Sequence, residues 1–199
     1  MFPKIELELP SWLEGEVQSD QVFETLDERM ALTIRLSSRN VHEGTGGPFG
    51  AAVFERDTGR LIAAGVNIVV ASHCSIAHAE AIALMIAQKR LGTYDLAAEG
   101  LPAHELVASS QPCIQCFGNI WWSGVRRVVI GARGEDVERL TGFDEGPLPE
   151  GWEELLRSRE SPPGPIQVVQ DVLAEDASRV LQRYRDEGGE IYNAGSGRS

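Results

Sequence analysis

The chain has few cysteines, no long apolar run and no excess of basic residues. Its 199 residues contain three cysteines, which are too few for the disulfide framework of a small secreted domain. No stretch of about 18 apolar residues is present, and the first residues resemble neither the basic region nor the apolar core of a signal peptide. These absences favour a cytoplasmic protein without a membrane anchor.

Acidic residues outnumber basic ones, 30 to 18, which gives a formal net charge of −12. A field of this sign repels polyanions, and the sequence has no basic patch that would displace counterions from a phosphate backbone. We therefore expect a small-molecule partner rather than a nucleic acid.

Length and composition predict one domain. With 42% hydrophobic residues, a chain of 199 residues can bury a sizeable core. We predict a single domain over residues 1–199, with an irregular lead-in over residues 1–20 that contains Pro3 and Pro10. Residues from about 186 to 199 are predicted to form a C-terminal tail.

The hydrophobic pattern predicts alternating helices and strands, which is typical of a three-layer α/β sandwich. A first helix is expected from Val22 to Val41. An antiparallel hairpin follows, with strands over 50–54 and 61–70 joined at the turn Asp57-Thr58-Gly59. The later predicted elements are a helix over 77–91 capped by Ser75, a strand over 106–108, a helix capped by Ser109 or Ser110 with Pro112 at its first position, a strand over 127–132, helices over 135–140 and 152–157, a strand over 166–170 and a final helix to about residue 185.

Two segments carry residue types that bind zinc. The first is Ala77-His78-Ala79-Glu80, and the second is Pro112-Cys113-Ile114-Gln115-Cys116, whose first cysteine follows the histidine by 35 residues (113 − 78). A catalytic zinc site uses three nitrogen or sulfur ligands and keeps the fourth position open. His78, Cys113 and Cys116 are the predicted ligands. Together with Glu80, these ligands match the H-x-E and P-C-x-x-C signature of zinc deaminases.

Glu80 has a different predicted role, because it is not needed as a ligand. Bound zinc lowers the pKa of water from 15.7 toward about 7. A carboxylate in a partly dry pocket can carry the proton that this water releases. The expected chemistry is hydrolytic attack on an amidine carbon with release of ammonia.

Two other interpretations of the motif remain open. A C-x-x-C pair alone is also typical of a redox pair or a structural zinc site. Cys74 lies one turn before His78 and would complete a closed Cys3His site, which would make the protein a structural zinc module rather than an enzyme. His42, His73 and His104 have no partner motif, and we assign them no chemistry.

Longer stretches resemble a branch of the cytidine-deaminase-like superfamily. The stretches GGPFGAAVFERDTGRLIAAGVNIVV, CSIAHAEAIAL, SSQPCIQCFGNIWWSGVRRVVIGA and FDEGP resemble the bacterial guanine deaminases, over roughly residues 25 to 195. The resemblance implies a central five-stranded mixed sheet between helix layers, a Zn²⁺ cofactor held by the three predicted ligands and Glu80 as proton shuttle. It also implies hydrolysis of guanine to xanthine and ammonia in a homodimer, with amino-triazines such as ammeline as further candidate substrates.

The same resemblance implies a set of residues that contact the substrate. Asn67 matches an asparagine that hydrogen-bonds the base, and an amide can both donate and accept. Glu145 matches a second acid near the leaving amino group, with Asp144 as its competitor for this role. Tyr192 resembles a C-terminal aromatic residue that closes over the pocket of its own or a neighbouring subunit. The remaining predicted substrate contacts are Phe49, Ala79 and Trp122.

Two positions depart from the family pattern. Gln111 stands where many relatives have glutamate before the Pro-Cys pair, and Asn119 stands where a small residue is common. Neither belongs to the ligand set, but both leave the hydrogen bonding around the ligands open. Deamination of adenosine in tRNA uses the same two motifs and is the alternative within the superfamily, although the acidic balance counts against it.

Overall fold

The computed structural model describes residues 4–18 and 20–193 of the chain. The helices are α1 (Trp12–Glu16), α2 (Leu26–His42), α3 (Val69–Ser72), α4 (Ala79–Leu91), α5 (Ile114–Ser123), α6 (Gly134–Thr141), α7 (Trp152–Arg157) and α8 (Ala174–Asp186). The strands are β1 (Gly50–Glu55), β2 (Leu61–Val66), β3 (His104–Ser110), β4 (Arg127–Ala132) and β5 (Gln167–Val169). None of the helices in this part of the chain has the length and apolar content that crossing a bilayer requires.

The five strands form one mixed sheet in the order β2-β1-β3-β4-β5. Strand β1 pairs antiparallel with both β2 and β3, whereas β3, β4 and β5 are parallel. Helices α2 and α8 pack on one face, and α4, α5 and α7 pack on the other. The predicted five-stranded mixed sheet between helix layers is confirmed.

The core consists of two apolar layers, because alternate residues of a strand point to opposite faces of the sheet. In β1, Ala51 and Val53 pack toward α4, while Ala52 and Phe54 pack toward α2. All four side chains are fully buried. The central strands therefore consist of almost continuously apolar residues, as expected for a sheet that is covered on both sides.

Helix α2 begins later than the sequence pattern predicts. Thr25 is its N-cap: the hydroxyl accepts from the backbone N–H of Glu28, and the Glu28 carboxylate accepts from the backbone N–H of Thr25. This capping box fixes the start at Leu26. Val22, the predicted first residue, forms an isolated bridge with Arg60 instead.

The predicted lead-in is only partly irregular. Residues Trp12–Glu16 form α1, and apolar side chains on both sides of this helix pack against the core layer under α2. The hairpin is confirmed, but its second strand ends at Val66, and Val69–Ser72 form a short helix rather than an extension of the strand. The predicted strand over 106–108 extends to His104–Ser110.

A buried ion-pair triad links α2, β3 and β4 at the end of the sheet where β3 and β4 begin. Arg29 of α2 and Arg127 of β4 both donate to the carboxylate of Glu105 on β3. The Glu105 side chain is fully buried. A buried charge without a partner is strongly destabilising. Loss of any one of the three residues is therefore expected to destabilise the packing around the start of β3.

Candidate metal centre and active site

Strand β3 and helix α5 position the two cysteines. The strand ends at Ser110, and Cys113 is the N-cap of α5, so Cys116 lies in the first turn of the helix. The predicted cap at Ser109 or Ser110 and the first helical position for Pro112 are wrong, because the chain stays extended until Cys113. Both thiols are buried at the helix N-terminus, where the helix dipole favours negative charge.

Helix α4 brings the histidine and the acid to the same place. His78 is the N-cap residue, and Glu80 lies in the first turn. The predicted cap at Ser75 is wrong, since the helix begins at Ala79 and Gly92 in the left-handed conformation ends it. His78 therefore has extended backbone, which directs the chain away from the helix axis before the first turn.

The three predicted ligands form one cluster. The His78 Nδ1 atom lies 3.5 Å from the Cys113 sulfur and 3.6 Å from the Cys116 sulfur. Zinc–sulfur bonds of about 2.3 Å and zinc–nitrogen bonds of about 2.0–2.1 Å, at tetrahedral angles, place nitrogen and sulfur about 3.6 Å apart. The donor set and its spacing fit zinc without rearrangement.

Cys74 does not complete a fourth position. Among the described residues, the donor atoms that lie within 4.8 Å of one another come from His78, Cys113 and Cys116. Cys74 packs against the apolar layer under α2, and its backbone N–H donates to Val69. The arrangement is that of an open three-ligand site rather than a closed structural one.

The contacts within the cluster affect its two thiols in opposite ways. The hydrogen bond from Cys116 lowers the pKa of the Cys113 thiol to about 4, with burial opposing and His78 adding to the shift. The same hydrogen bond, together with burial, raises the pKa of Cys116 well above its usual value. Burial lowers the pKa of His78, but its contacts with Cys113 and Glu80 outweigh this effect and raise it. These contacts favour the thiolate form at Cys113, which is the form that binds metal.

Two carboxylates lie beside this cluster. Burial and the charge of Cys113 raise the pKa of Glu80 to about 6, although His78 opposes the shift. Burial and the charges of Cys113 and Glu80 raise the pKa of Glu145 to about 8. A divalent cation on the three ligands would lower both pKa values, because it adds positive charge next to each acid. Burial acts in the opposite direction and favours the protonated form of both acids.

His78 and Cys113 of the cluster and the two acids line a cavity of about 290 Å³. Aromatic side chains form part of its wall: Phe143 lies 5.4 Å from Phe49 and 4.7 Å from Tyr192 between ring centroids. Asn67 is buried in the same wall. A small flat molecule fits a space of this volume and lining.

The Asn67 side chain has a fixed orientation. Its Oδ1 accepts from the backbone N–H of Val69 at 3.2 Å. Its backbone is held as well, since the N–H donates to the carbonyl of Phe49 and the carbonyl accepts from the side chain of Asn40. The hydrogen bond from Val69 fixes the orientation of the amide in the cavity wall.

The profile of the cytidine and deoxycytidylate deaminase zinc-binding region matches residues 24–132, which contain both ligand segments. The chain belongs to this zinc-binding deaminase family. Zinc is accordingly the metal of the His78, Cys113 and Cys116 cluster, and the domain is that of a hydrolytic enzyme.

Individual relatives extend the similarity to nearly the whole chain. The solved structure of guanine deaminase from Nitrosomonas europaea is 45% identical, with 94% of this chain and 98% of that chain covered and a TM-score of 0.87. A solved structure in complex with 2,6-diaminopurine is 47% identical, with 95% and 96% covered and a TM-score of 0.86. Guanine deaminase of Bacillus subtilis (strain 168) is 37% identical over 112 residues, which are 56% of this chain and 67% of that protein.

The two acids of the deaminase domain's Asp144-Glu145 pair have different surroundings. Asp144 is exposed, and its carboxylate accepts from the backbone N–H of Gly146 within the same loop. Glu145 instead interacts electrostatically with Cys113, Glu80 and His78. The structure thus brings Glu145 to the metal cluster and leaves Asp144 at the loop surface.

Tyr192 lies in the cavity of its own chain. Its ring packs on Phe143, and burial raises the pKa of its hydroxyl well above the usual value. The hydroxyl lies beside the Asn67 side chain. Residues 194–199 of the predicted tail lie outside the described residues.

Two predicted substrate contacts do not line the cavity. Trp122 is 79% exposed on the outer side of α5, so its prediction as a wall of this pocket is wrong for the single chain. Ala79, the first residue of α4, has its side chain in the core layer beneath the sheet. Position in a helical motif alone did not reveal which face of the helix points to the pocket.

The cavity wall also contains residues without a predicted role in substrate binding. Phe143 could have been inferred from the sequence, because it lies two residues before Glu145 in the same motif. Gln111 was noted only as a departure from the family pattern. The other such residues are Ser75, Ile114, Gln115, Asp144, Gly146 and Asn193.

Proposed function

We propose that the protein hydrolyses guanine to xanthine and ammonia, with zinc held by His78, Cys113 and Cys116. The observation that carries this proposal is that two of the three clustered metal ligands, His78 and Cys113, share one aromatic-lined cavity with the carboxylates of Glu80 and Glu145. The named relatives that cover most of the chain are guanine deaminases. The proposed substrate is thus a free purine base.

The reaction needs water to attack the carbon that bears the amino group, and two protons to move. Zinc bound at this site supplies Lewis-acid activation of water at neutral pH. Glu80 is proposed to accept the proton that the attacking water loses and to pass it to the base. Glu145 is proposed to bring the proton with which the amino group leaves as ammonia. Burial raises the pKa of both acids and so favours proton uptake by each of them.

Recognition of the base is proposed to come from shape and one amide. The rings of Phe49, Phe143 and Tyr192 give a flat heteroaromatic ring apolar surfaces to pack on. The side-chain amide of Asn67, whose orientation is fixed by the backbone N–H of Val69, is proposed to hydrogen-bond to an edge of the base. This pairing restricts the orientations in which a base can present its amino group to the two acids.

A panel of substrates tests the proposal. The zinc-loaded protein should release ammonia from guanine and form xanthine, but should not release ammonia from cytosine or cytidine. Ammeline and adenine measure how tightly the pocket selects, and tRNA tests the alternative that the charge of −12 disfavours. Turnover of cytosine or cytidine in preference to guanine would refute the proposed substrate.

We further propose a homodimer that works in the cytoplasm. All three cysteines are free thiols, which a reducing compartment preserves for metal binding. A groove between α4 and α5 carries four exposed large apolar side chains, and a contiguous patch of this kind is typical of a protein–protein contact. These side chains are Ile76, Met85, Tyr94 and Trp122.

A charge placed in this groove should separate the subunits. Trp122→Asp is expected to raise the dimer dissociation constant at least about thirtyfold, as the loss of a central aromatic anchor does. Size-exclusion chromatography with light scattering should then give the chain mass of 21.7 kDa. Ile5→Asp is the matched control, because Ile5 is 90% exposed but lies outside the groove. Equal masses for both variants would contradict this interface.

A further inference from the structure

The C-terminal segment, residues 191–193, contacts the loop that carries Glu145. We call residues 142–146 the acid loop. The Asn193 side chain makes two hydrogen bonds to it: Oδ1 accepts from the backbone N–H of Asp144 at 3.0 Å, and Nδ2 donates to the carbonyl of Gly142 at 3.1 Å. One amide group therefore holds the loop backbone on both sides of Phe143.

The acid loop is held on its other side by the start of α5. The backbone N–H of Ile114 donates to the carbonyl of Glu145 at 3.0 Å. Ile114 directly follows the ligand Cys113 in the chain. The backbone is therefore hydrogen-bonded on both sides of the Glu145 side chain. Asn193 accepts from Asp144, the residue before Glu145, and the first residue of α5 donates to the carbonyl of Glu145 itself.

The residue before Asn193 lies in the cavity. The Tyr192 ring packs 4.7 Å from Phe143, which is the residue that Asn193 brackets, and the Tyr192 hydroxyl lies beside Asn67. Since Tyr192 and Asn193 are consecutive, a movement that withdraws the ring from the cavity also breaks both hydrogen bonds to the acid loop. The same short segment therefore forms part of the cavity wall and restrains the acid loop.

We propose that Asn193 is a positioning residue for Glu145, because its two hydrogen bonds hold the backbone of the acid loop on the side away from α5. The catalytic part of this inference rests on the proposed function, whereas the pairing of Asn193 with the acid loop is independent of the substrate.

Asn193→Ala tests the proposal in the zinc-loaded, full-length protein. We expect the backbone amide of Asp144 to lose its protection from hydrogen exchange, measured by NMR. We also expect kcat for guanine to fall about tenfold while KM changes by less than about threefold, as the loss of two neutral hydrogen bonds that position a group would do. Glu190→Ala is the matched control on the same stretch, because the Glu190 side chain is exposed and away from the acid loop; it should change neither quantity.

Asn193→Asp separates the two hydrogen bonds. This variant keeps the oxygen that accepts from Asp144 and loses the N–H that donates to Gly142, so Asp144 should stay protected and kcat should lie between those of the wild type and Asn193→Ala. Unchanged exchange at Asp144 in Asn193→Ala would overturn the pairing, and lost protection with unchanged kcat would overturn the positioning role. A wild-type protein that is inactive on guanine would refute the proposed function instead, and the exchange measurement would still decide the pairing.

Discussion

Glu80→Gln should bind zinc like the wild-type protein and lose nearly all release of ammonia from guanine. Glutamine has the same shape as glutamate but cannot accept a proton, and a positioned general acid–base group contributes about 10²- to 10⁴-fold to rate. We expect a fall in kcat at the upper end of this range, because Glu80 is proposed to handle the proton of the attacking water. Glu80 is only 8% exposed, so bulk water is poorly placed to take over its role.

The measurement pairs zinc content by atomic emission with steady-state ammonia release. Glu99→Gln is the matched control, since it makes the same substitution at an exposed position. Full zinc occupancy with wild-type kcat in Glu80→Gln would show that another group carries the proton. Loss of zinc in this variant would instead show that Glu80 supports the metal site.

Cys116→Ser should abolish activity by emptying the metal site. Serine replaces a thiolate with a hydroxyl that is a poor zinc ligand. Removal of groups that merely support a ligand costs about 10- to 100-fold in metal affinity, so loss of a ligand should exceed that range. The thermal unfolding temperature should also become independent of added zinc, because a ligand that no longer binds the folded state cannot stabilise it.

Cys74→Ser provides an exact chemical match for this variant outside the cluster. It should retain zinc, activity and the zinc-dependent gain in thermal stability, since Cys74 packs in the apolar layer and is not among the clustered donors. Loss of zinc from Cys74→Ser would favour the closed Cys3His site, and with it a structural zinc module. The pair of variants therefore separates an enzyme from a scaffold.

The metal ligands could be predicted from the sequence because their chemistry depends on short spacing. Two cysteines three residues apart at a helix start place both sulfurs on one side. The strand Arg127–Ala132 and the helix Trp152–Arg157 were predicted at their observed bounds, since each has a clear apolar pattern. The order of the five strands and of six helices likewise followed from alternation of the two periodicities, whereas α1 and α3 were not predicted.

The errors arose where long-range contacts decide local structure. Ser75 and Pro112 have the residue types of helix starts, but each helix begins at or just after a ligand, at His78 and Cys113. The direction of Trp122 could not be obtained from a motif, because it depends on which face of α5 meets the sheet. The contact of Asn193 with the acid loop joins residues about 50 positions apart, and no local pattern indicates it.

The two ends of the central strands carry different groups of residues. Residues that precede β1 and follow β2 and β3 line the cavity at the metal cluster. The triad of Arg29, Glu105 and Arg127 is hydrogen-bonded at the opposite end of the strands. The loops at the cavity end are separate from the residues that form the triad, so they can differ in length and residue type without removing its ion pairs. Substitutions in the loops that line the cavity therefore leave the hydrogen bonds of the buried triad unchanged.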